Sequence, residues 1–209
     1  MTVSRPYNVR KQIMHQLFVV TPCNYTVAGF KALMAERRLS VRIIPVLTPE
    51  EVSIIPPEEG NRIIVVVLPA REPAVSVPGR IFLWRRALQQ VAGMPDHTPC
   101  LVLSDETHEK YRVARWLHWP QPLPSLTTLL IRALEHPDLF VCRQAEARPL
   151  TPMQKEILDA TLAGESVRVT AARLFVQPQA VFSCRAALIR KLGLRNRIDL
   201  MCLNRMSLE

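Results

Sequence analysis

Five cations and one acid lie within sixteen residues near the end of the 209-residue sequence. They are Arg185, Arg190, Lys191, Arg195 and Arg197, with Asp199 as the acid. Apolar residues at helical spacing begin just before this stretch and continue into it, namely Val181, Leu188, Ile189 and Leu192. Guanidinium and ammonium groups bind phosphate oxygens through charge-assisted hydrogen bonds. The pattern therefore indicates either a phosphate-binding surface or an ordinary solvated helix face.

The overall charge favours a polyanionic partner. The chain holds 27 Lys and Arg against 18 Asp and Glu, with a net charge of +9 and a pI near 9.9. Residues 150–209 carry nine cations against five acids, so the excess is densest there. Such a charge attracts nucleic acid through counterion release and electrostatic steering. A hydrophobic content of 48% is sufficient for a buried core.

Several functional classes lack their signals. The cysteines are single and have no zinc-type spacing, and GxSxG, P-loop and HExxH motifs do not occur. The separated histidines have no motif partner. We therefore predict a protein that is not an enzyme and holds no cofactor or metal. The polar, basic start and the lack of an apolar run of about 18 residues predict a cytoplasmic protein without membrane contact.

Strand and helix patterns alternate through the first 136 residues. Pro45 places the strand candidate 40–47 at a sheet edge, whereas the unbroken apolar run 63–68 predicts a strand buried on both faces. Further strands are expected at 16–20 and 99–105, and helices at 26–38, 79–92 and 124–136, with Arg85 and Arg86 facing outward. Residues 111–120 are expected to form a short helix that runs into a short strand. This order predicts a doubly wound α/β domain of flavodoxin-like, receiver-like topology over residues 1–136.

The chain changes character after residue 136. Residues 137–149 have no sustained period and predict a linker, and residues 150–209 have helical periodicity throughout. Thr151, Pro152 and Gln154 predict a capped helix start, and Gly164 and Gly193 predict two helix ends. A second helix is expected at 167–175, a third at 178–193 and a fourth at 195–206. The tail is thus predicted as an all-α domain of four helices.

The tail resembles the DNA-binding domain of LuxR/NarL-type regulators over about residues 150–203. The resemblance is carried by Leu150-Thr151-Pro152, Glu156, Leu158, Ala163-Gly164, Ala171, Arg173-Leu174, Val181, Arg190-Lys191-Leu192-Gly193 and Arg195-Asn196-Arg197. It implies a helix-turn-helix whose third helix, 178–192, lies in the major groove of double-stranded DNA. The sequence departs from the family at Thr170, Phe175 and Phe182, where Ile, Gly and Lys are common.

The resemblance implies two classes of DNA contact. Contacts with DNA phosphates are expected from Arg190, Lys191, Arg195 and Arg197. Phosphate contacts position a protein on DNA without reading its sequence. Base edges are expected at the outward positions early in the third helix, Gln179, Phe182, Ser183, Arg185 and Ala186. Phe182 and Ala186 suit a thymine methyl group, and Arg185 suits guanine. Sequence specificity from this helix alone is expected to be weak.

The front domain lacks the groups that a working receiver needs. Thr21-Pro22 stands where an acidic pair would hold Mg²⁺, Val66 or Val67 stands at the Asp acceptor, and His118-Trp119-Pro120 replaces the Lys region. Ser104 alone fits. The resemblance therefore predicts a degenerate pseudo-receiver that acts without phosphorylation. The acid pair Asp105-Glu106 is interpreted as a solvated turn.

These features together predict a cytoplasmic transcription regulator similar to the auxiliary regulators of the enterobacterial capsule-synthesis phosphorelay. We expect a homodimer, or a heterodimer with a related response regulator, with Leu200, Met201 and Leu203 as one candidate contact. The alternative is a protein-interaction module that binds a response regulator or other transcription component without contacting DNA. The apolar groups Phe82-Leu83-Trp84, Trp116 and Trp119 are either core or interface.

Overall fold

The computed structural model describes residues 13–35, 39–93, 97–106, 113–142 and 147–203. We call residues 13–142 the N-terminal unit and 147–203 the C-terminal unit. The strands are β1 (Met14–Val20), β2 (Ser40–Val46), β3 (Arg62–Leu68), β4 (Cys100–Ser104) and β5 (Arg115–His118). The helices of the N-terminal unit are α1 (Asn24–Ala35), α2 (Pro49–Ile54), α3 (Pro73–Val91) and α4 (Leu123–Glu135), followed by a 3₁₀ helix, Pro137–Phe140. Those of the C-terminal unit are α5 (Pro152–Leu162), α6 (Val167–Arg173), α7 (Pro178–Lys191) and α8 (Arg197–Met201).

The five strands form one parallel sheet in the order β2-β1-β3-β4-β5. This is the predicted flavodoxin-like order, with helices on both faces. β2 lies at an edge, where Pro45 pairs with Val19, so the missing N–H of proline interrupts a single ladder. The fold class predicted for both parts of the chain is confirmed.

The continuous apolar run of β3 follows from its central position, because both of its faces are buried. Ile63 and Val65 belong to a hydrophobic cluster with α1 and α4, whereas Ile64, Val66 and Leu68 belong to a second cluster with α3. All five side chains are fully buried. Because both faces of the strand are covered, no polar alternation remains in its sequence.

Helix α3 lies against the sheet more closely than the sequence pattern suggests. A Cβ at Gly79 would lie 2.7 Å from a methyl group of Leu68, so glycine permits this approach. The expectation that Arg86 faces outward is wrong, because its side chain is buried and donates to the carbonyl of Thr98. Residues 82–84 are buried in the core.

Some elements differ from the sequence expectations. α2 was not anticipated, since six residues are too few to show a helical period, although Thr48 caps it through the amide of Glu51. The first part of the expected linker is ordered on α4, because Phe140 is buried there. The expected helical residues 36–38 and 111–112, and the end of the fourth tail helix at 204–206, lie outside the described residues.

The C-terminal unit begins as its sequence predicts. The Thr151 hydroxyl accepts from the amide of Gln154 at 3.2 Å, and the Gln154 side chain accepts from the amide of Thr151 at 3.1 Å. This reciprocal cap satisfies two of the free amides at the start of α5. The hydrophobic cluster on the α3 face of the sheet continues into this unit through Leu150, Leu158 and Leu194.

Candidate nucleic-acid interface

Helices α6 and α7 and the turn between them form a helix-turn-helix. Ser166 caps α6 through the amide of Val169, and the turn that follows α6 contains Phe175, which has a φ of 54°. There the amides of Phe175 and Val176 donate to the carbonyls of Ala172 and Ala171. This left-handed helix end normally takes glycine, as it does at Gly164 and Gly193, the other two such ends in this unit.

Replacing Phe175 by glycine is expected to raise the free energy of unfolding by about 1 kcal/mol, because a bulky residue in the left-handed region is strained. The phenyl group is 97% exposed, so its loss removes little buried area. Urea denaturation measures the change. Phe182→Gly is the control: it removes another exposed phenyl from an ordinary helical position and is expected to destabilise. A destabilised Phe175→Gly variant would contradict the strain argument.

One face of α7 is open to solvent. Gln179, Phe182, Ser183 and Ala186 are all exposed, and residues three and four apart share a helix face. Phe182 is 53% exposed even though it is a large apolar side chain. Four of the five predicted base-reading residues are therefore brought together on one accessible surface.

Arg185 is not part of this surface. Its side chain is buried, its Nε donates to the hydroxyl of Thr161 at 2.8 Å, and its Nη2 donates to the carbonyl of Glu165. Burial lowers the pKa of this guanidinium, and the charge of Arg197 lowers it further. The sequence interpretation of Arg185 as a guanine reader is corrected here: the residue joins α7 to α5 and to the turn after α5.

The same turn is tied to α6 by Glu165. Its carboxylate accepts from Arg173 at 3.1 Å and from the hydroxyl of Thr170 at 2.9 Å. The hydrogen bond from Arg173 and then that from Thr170 hold the pKa of Glu165 below its usual range. Thr170, where the family commonly has Ile, is fully buried and thus exchanges an apolar contact for a hydrogen bond.

The predicted phosphate contacts divide into two pairs. Arg190 and Arg197 are exposed and thus accessible to DNA. Lys191 is half-buried, and its Nζ donates to Gln154 at 2.8 Å within the cap of α5. Burial and then the positive charge of Arg148 lower the pKa of Lys191. Arg148 is an exposed cation beside this group that the sequence motif did not single out.

Arg195 lies in the contact between the two units instead of on the open surface. Its Nε and Nη2 each donate to Asp199 at 2.9 Å, which forms a fork on a carboxylate with no solvent exposure. Its Nη1 donates to the carbonyl of Ala70 and lies 3.4 Å from Glu106. Arg195 is therefore committed to internal partners, which corrects its interpretation as a phosphate contact.

A second arginine completes this contact. Arg80 donates to Glu106 at 2.5 Å and to the carbonyl of Gly193 at 2.7 Å. We call Arg80, Glu106, Arg195 and Asp199 the inter-unit clasp. Its two cations and two carboxylates join α3 to the start of α8. Glu106 is thus partly buried in ion pairs, which corrects its interpretation as part of a solvated turn. Asp105 is exposed, as that interpretation predicted, and its carboxylate accepts from the amide of Ala70 at 2.7 Å.

Helix α8 offers less surface for pairing than the sequence suggests. Leu200 and Leu203 are buried in the core, so they are not available as contacts. Ile198 and Met201 remain exposed.

The receiver-type positions carry no acidic constellation. Val66 is fully buried at the end of β3, Val67 is half-buried, and the hydroxyl of Ser104 donates to the carbonyl of Leu68. Thr21, after β1, accepts from the amide of Cys23. Across the described ranges, no three His, Cys, Asp or Glu side chains come together as a metal site would require.

Comparison with known proteins agrees with this geometry. Residues 148–204 match the family described as bacterial regulatory proteins, luxR family. The C-terminal unit is a luxR-type domain. The match begins just before the cap of α5 and includes all four helices of the luxR-type domain. No curated protein sequence matches the chain.

The chain is also similar to solved structures of response regulators over most of its length. The response regulator StyR is 17% identical, with a TM-score of 0.39, over 90% of this chain and 96% of its own. The response regulator RcsB in complex with DNA is 13% identical, with a TM-score of 0.44, over 90% and 96%. A structure of two RcsB dimers on two parallel DNAs is 13% identical, with a TM-score of 0.45, over 94% and 98%. In the described part of the chain, no helix is both long and apolar enough to cross a membrane.

Proposed function

We propose that this chain is a cytoplasmic transcription regulator that binds double-stranded DNA through α7 and acts without phosphorylation. In this proposal, residues 1–136 form a regulatory domain, 137–149 a linker and 150–209 the DNA-binding domain. The observation that carries it is the luxR-type helix-turn-helix with an exposed face on α7. That face lies beside exposed cations, as a helix in the major groove requires.

The exposed face supports limited sequence specificity. Gln179 can form a pair of hydrogen bonds with adenine, Ser183 can bond to any base, and Phe182 and Ala186 can contact a thymine methyl group. With Arg185 committed to the core, no cation remains among the predicted base readers. Affinity therefore depends mainly on phosphate contacts.

Replacing Arg190 or Arg197 by Ala is expected to weaken binding to every DNA sequence to a similar degree. Each lost contact reduces the slope of log K against log salt by about 1, because fewer counterions are released. Electrophoretic titration of the full chain at several salt concentrations measures both quantities. Lys31→Ala, which removes an exposed cation from α1, is the matched control and should leave the slope unchanged.

A salt slope that stays at the wild-type value in both arginine variants would show that Arg190 and Arg197 are ordinary solvated surface residues and do not contact DNA. If the full chain also failed to bind any duplex, the interaction-module function would replace this proposal. The exposed phenyl groups of Phe175 and Phe182 favour that second function, since protein partners bury apolar side chains.

Phosphodonors are expected to leave the protein unmodified. The acceptor position holds valine, and the region before α1 offers Thr21 instead of an acidic pair for Mg²⁺. Intact mass spectrometry after incubation with acetyl phosphate and Mg²⁺ should show no added phosphoryl group. A stoichiometric, acid-labile adduct would contradict the pseudo-receiver proposal.

We further propose that the protein works as a homodimer or beside a related response regulator. Weak base reading by α7 alone supports this, because a second half-site supplies the missing specificity. The exposed residues Ile198 and Met201 are the part of α8 that remains free for such a contact.

A further inference from the structure

The N-terminal unit contains an apolar cavity of about 740 Å³ between α1 and α4. Its lining includes Val67 and Leu103 of the sheet, together with Phe30, Leu126 and Trp119. Val67 and Leu103 lie near the carboxyl ends of β3 and β4, which is where doubly wound folds bind their ligands. Its volume lies within the range of small-molecule sites, roughly 300–1,000 Å³.

The charge of the residues that line the cavity favours a cationic ligand over an anionic one. Glu72 is the one charged side chain among its described lining residues, and Lys, Arg and His are absent from them. Thr26 and Thr127 add hydroxyl groups, of which that of Thr127 already donates to the carbonyl of Leu123. The carboxylate of Glu72 is exposed; it repels phosphate and other anions, whereas it attracts an ammonium group.

We propose that this cavity binds a small apolar molecule that carries one amine or ammonium group. The apolar part lies between α1 and α4 on Val67, and the cationic group faces Glu72. Val67 is one of the two residues, Val66 or Val67, at which a phosphoacceptor would be expected, so the proposed ligand lies where a receiver would carry an anionic modification.

The cavity shares a loop with the inter-unit clasp. Pro69 and Glu72 line the cavity, and between them Ala70 accepts from Arg195 through its carbonyl and donates its amide to Asp105. Val75 also lines the cavity, and the next residue, Ser76, lies 3.4 Å from Nη2 of Arg195. A ligand that moves this loop therefore changes the hydrogen bonds that hold the luxR-type domain. Differential affinity for the two loop positions is the physical basis of such coupling.

Three phenyl compounds of similar size test the charge selection on the full chain. They are 2-phenylethylamine, 2-phenylethanol and 3-phenylpropanoate, observed by saturation-transfer NMR. The amine should bind most tightly, the alcohol more weakly and the carboxylate not measurably. Glu72→Gln should weaken amine binding about two- to fivefold, as expected for an exposed charge pair, and leave alcohol binding unchanged.

A pair of phenylalanine substitutions tests the location. A Cβ on Gly29 meets nothing within 4 Å, and this glycine lines the cavity, so Gly29→Phe should fill it and abolish probe binding. Ala28→Phe places the same side chain at the neighbouring exposed position, outside the cavity lining, and should leave probe binding intact. In the wild type, the amine should also shift the Nε–H resonance of Arg195.

Equal probe binding by the two phenylalanine variants, or tighter binding of the carboxylate than of the amine, would overturn the proposal. Failure of all three compounds to bind the wild type would overturn it as well. Probe binding without a shift of the Arg195 resonance would show that the cavity is not coupled to the inter-unit clasp. None of these readouts uses DNA, so they are independent of the proposed function.

Discussion

Replacing Asp199 by Asn is expected to lower the free energy of unfolding at pH 7 by about 3 kcal/mol, as breaking one partner of a buried ion pair does. Asp199 has no solvent exposure and accepts a fork of two hydrogen bonds from the side chain of Arg195, together with one from its backbone amide. An amide offers a single acceptor oxygen and no charge. Urea denaturation of the full chain at pH 7 measures the difference.

The pH dependence of this effect has a defined sign. Burial alone raises the pKa of Asp199, but hydrogen bonds from the side chain and amide of Arg195 outweigh it and hold the pKa below its usual value. The carboxylate therefore contributes stability above its unfolded pKa, about 4, and loses it as the pH falls through the folded pKa. The difference in free energy of unfolding between the wild type and Asp199→Asn should therefore decrease as the pH falls through this range.

The exposed Asp138 provides the control for charge removal. Asp138→Asn should change the free energy of unfolding by no more than about 0.5 kcal/mol. If Asp199→Asn were equally mild at pH 7, the fork to Arg195 would contribute nothing to stability in solution.

Arg185→Ala is expected to lower the free energy of unfolding by about 3 kcal/mol, because it leaves a cavity and removes the hydrogen bond to Thr161. DNA affinity should fall with the folded fraction, without a change in base preference. Thermal denaturation and electrophoretic titration against a set of single-base variants measure the two quantities.

Arg185→Met separates the structural role from base reading. Methionine retains much of the buried length of the side chain, so stability and DNA affinity should largely return. If Arg185 contacted guanine, the Met and Ala variants would lose preference at the same base position by roughly 1–3 kcal/mol. Arg190→Ala is the control within α7, since it removes an exposed cation without disturbing the core.

The fold could be predicted from local patterns because its main signals are local. The apolar run of β3, Pro45 in β2 and the cap at Thr151 each specify a structure within a few residues. α2 was not predicted, because a helix of six residues is too short to show a helical period in its sequence. The helix-turn-helix was identified from its motif, and the open face of α7 followed from helical spacing.

The roles of individual arginines could not be predicted in the same way. Arg185 and Arg195 look like Arg190 and Arg197 in the sequence, but they have different partners. Arg185 donates to Thr161 and Glu165 within the tail, so its burial depends on how the tail helices pack together. Arg195 donates to Asp199 and also to Ala70 of the N-terminal unit, so its position depends on how the two units meet. A motif confined to the tail contains no information on that contact.

The contact between α3 and the luxR-type domain constrains how this sequence can change over evolutionary time. Trp84 and Leu88 of α3 border the same cavity as Leu150 and Leu158, and the clasp adds charges that must match across the boundary. Substitutions on opposite sides of such a contact are not additive, since the effect of each depends on its neighbour. The domain is therefore not a freely exchangeable module: a graft onto a different front domain would inherit Arg195 and Asp199 without Glu106 and Arg80. Successful exchange would require the facing surface of α3 and Glu106 after β4 to be transferred together with the tail.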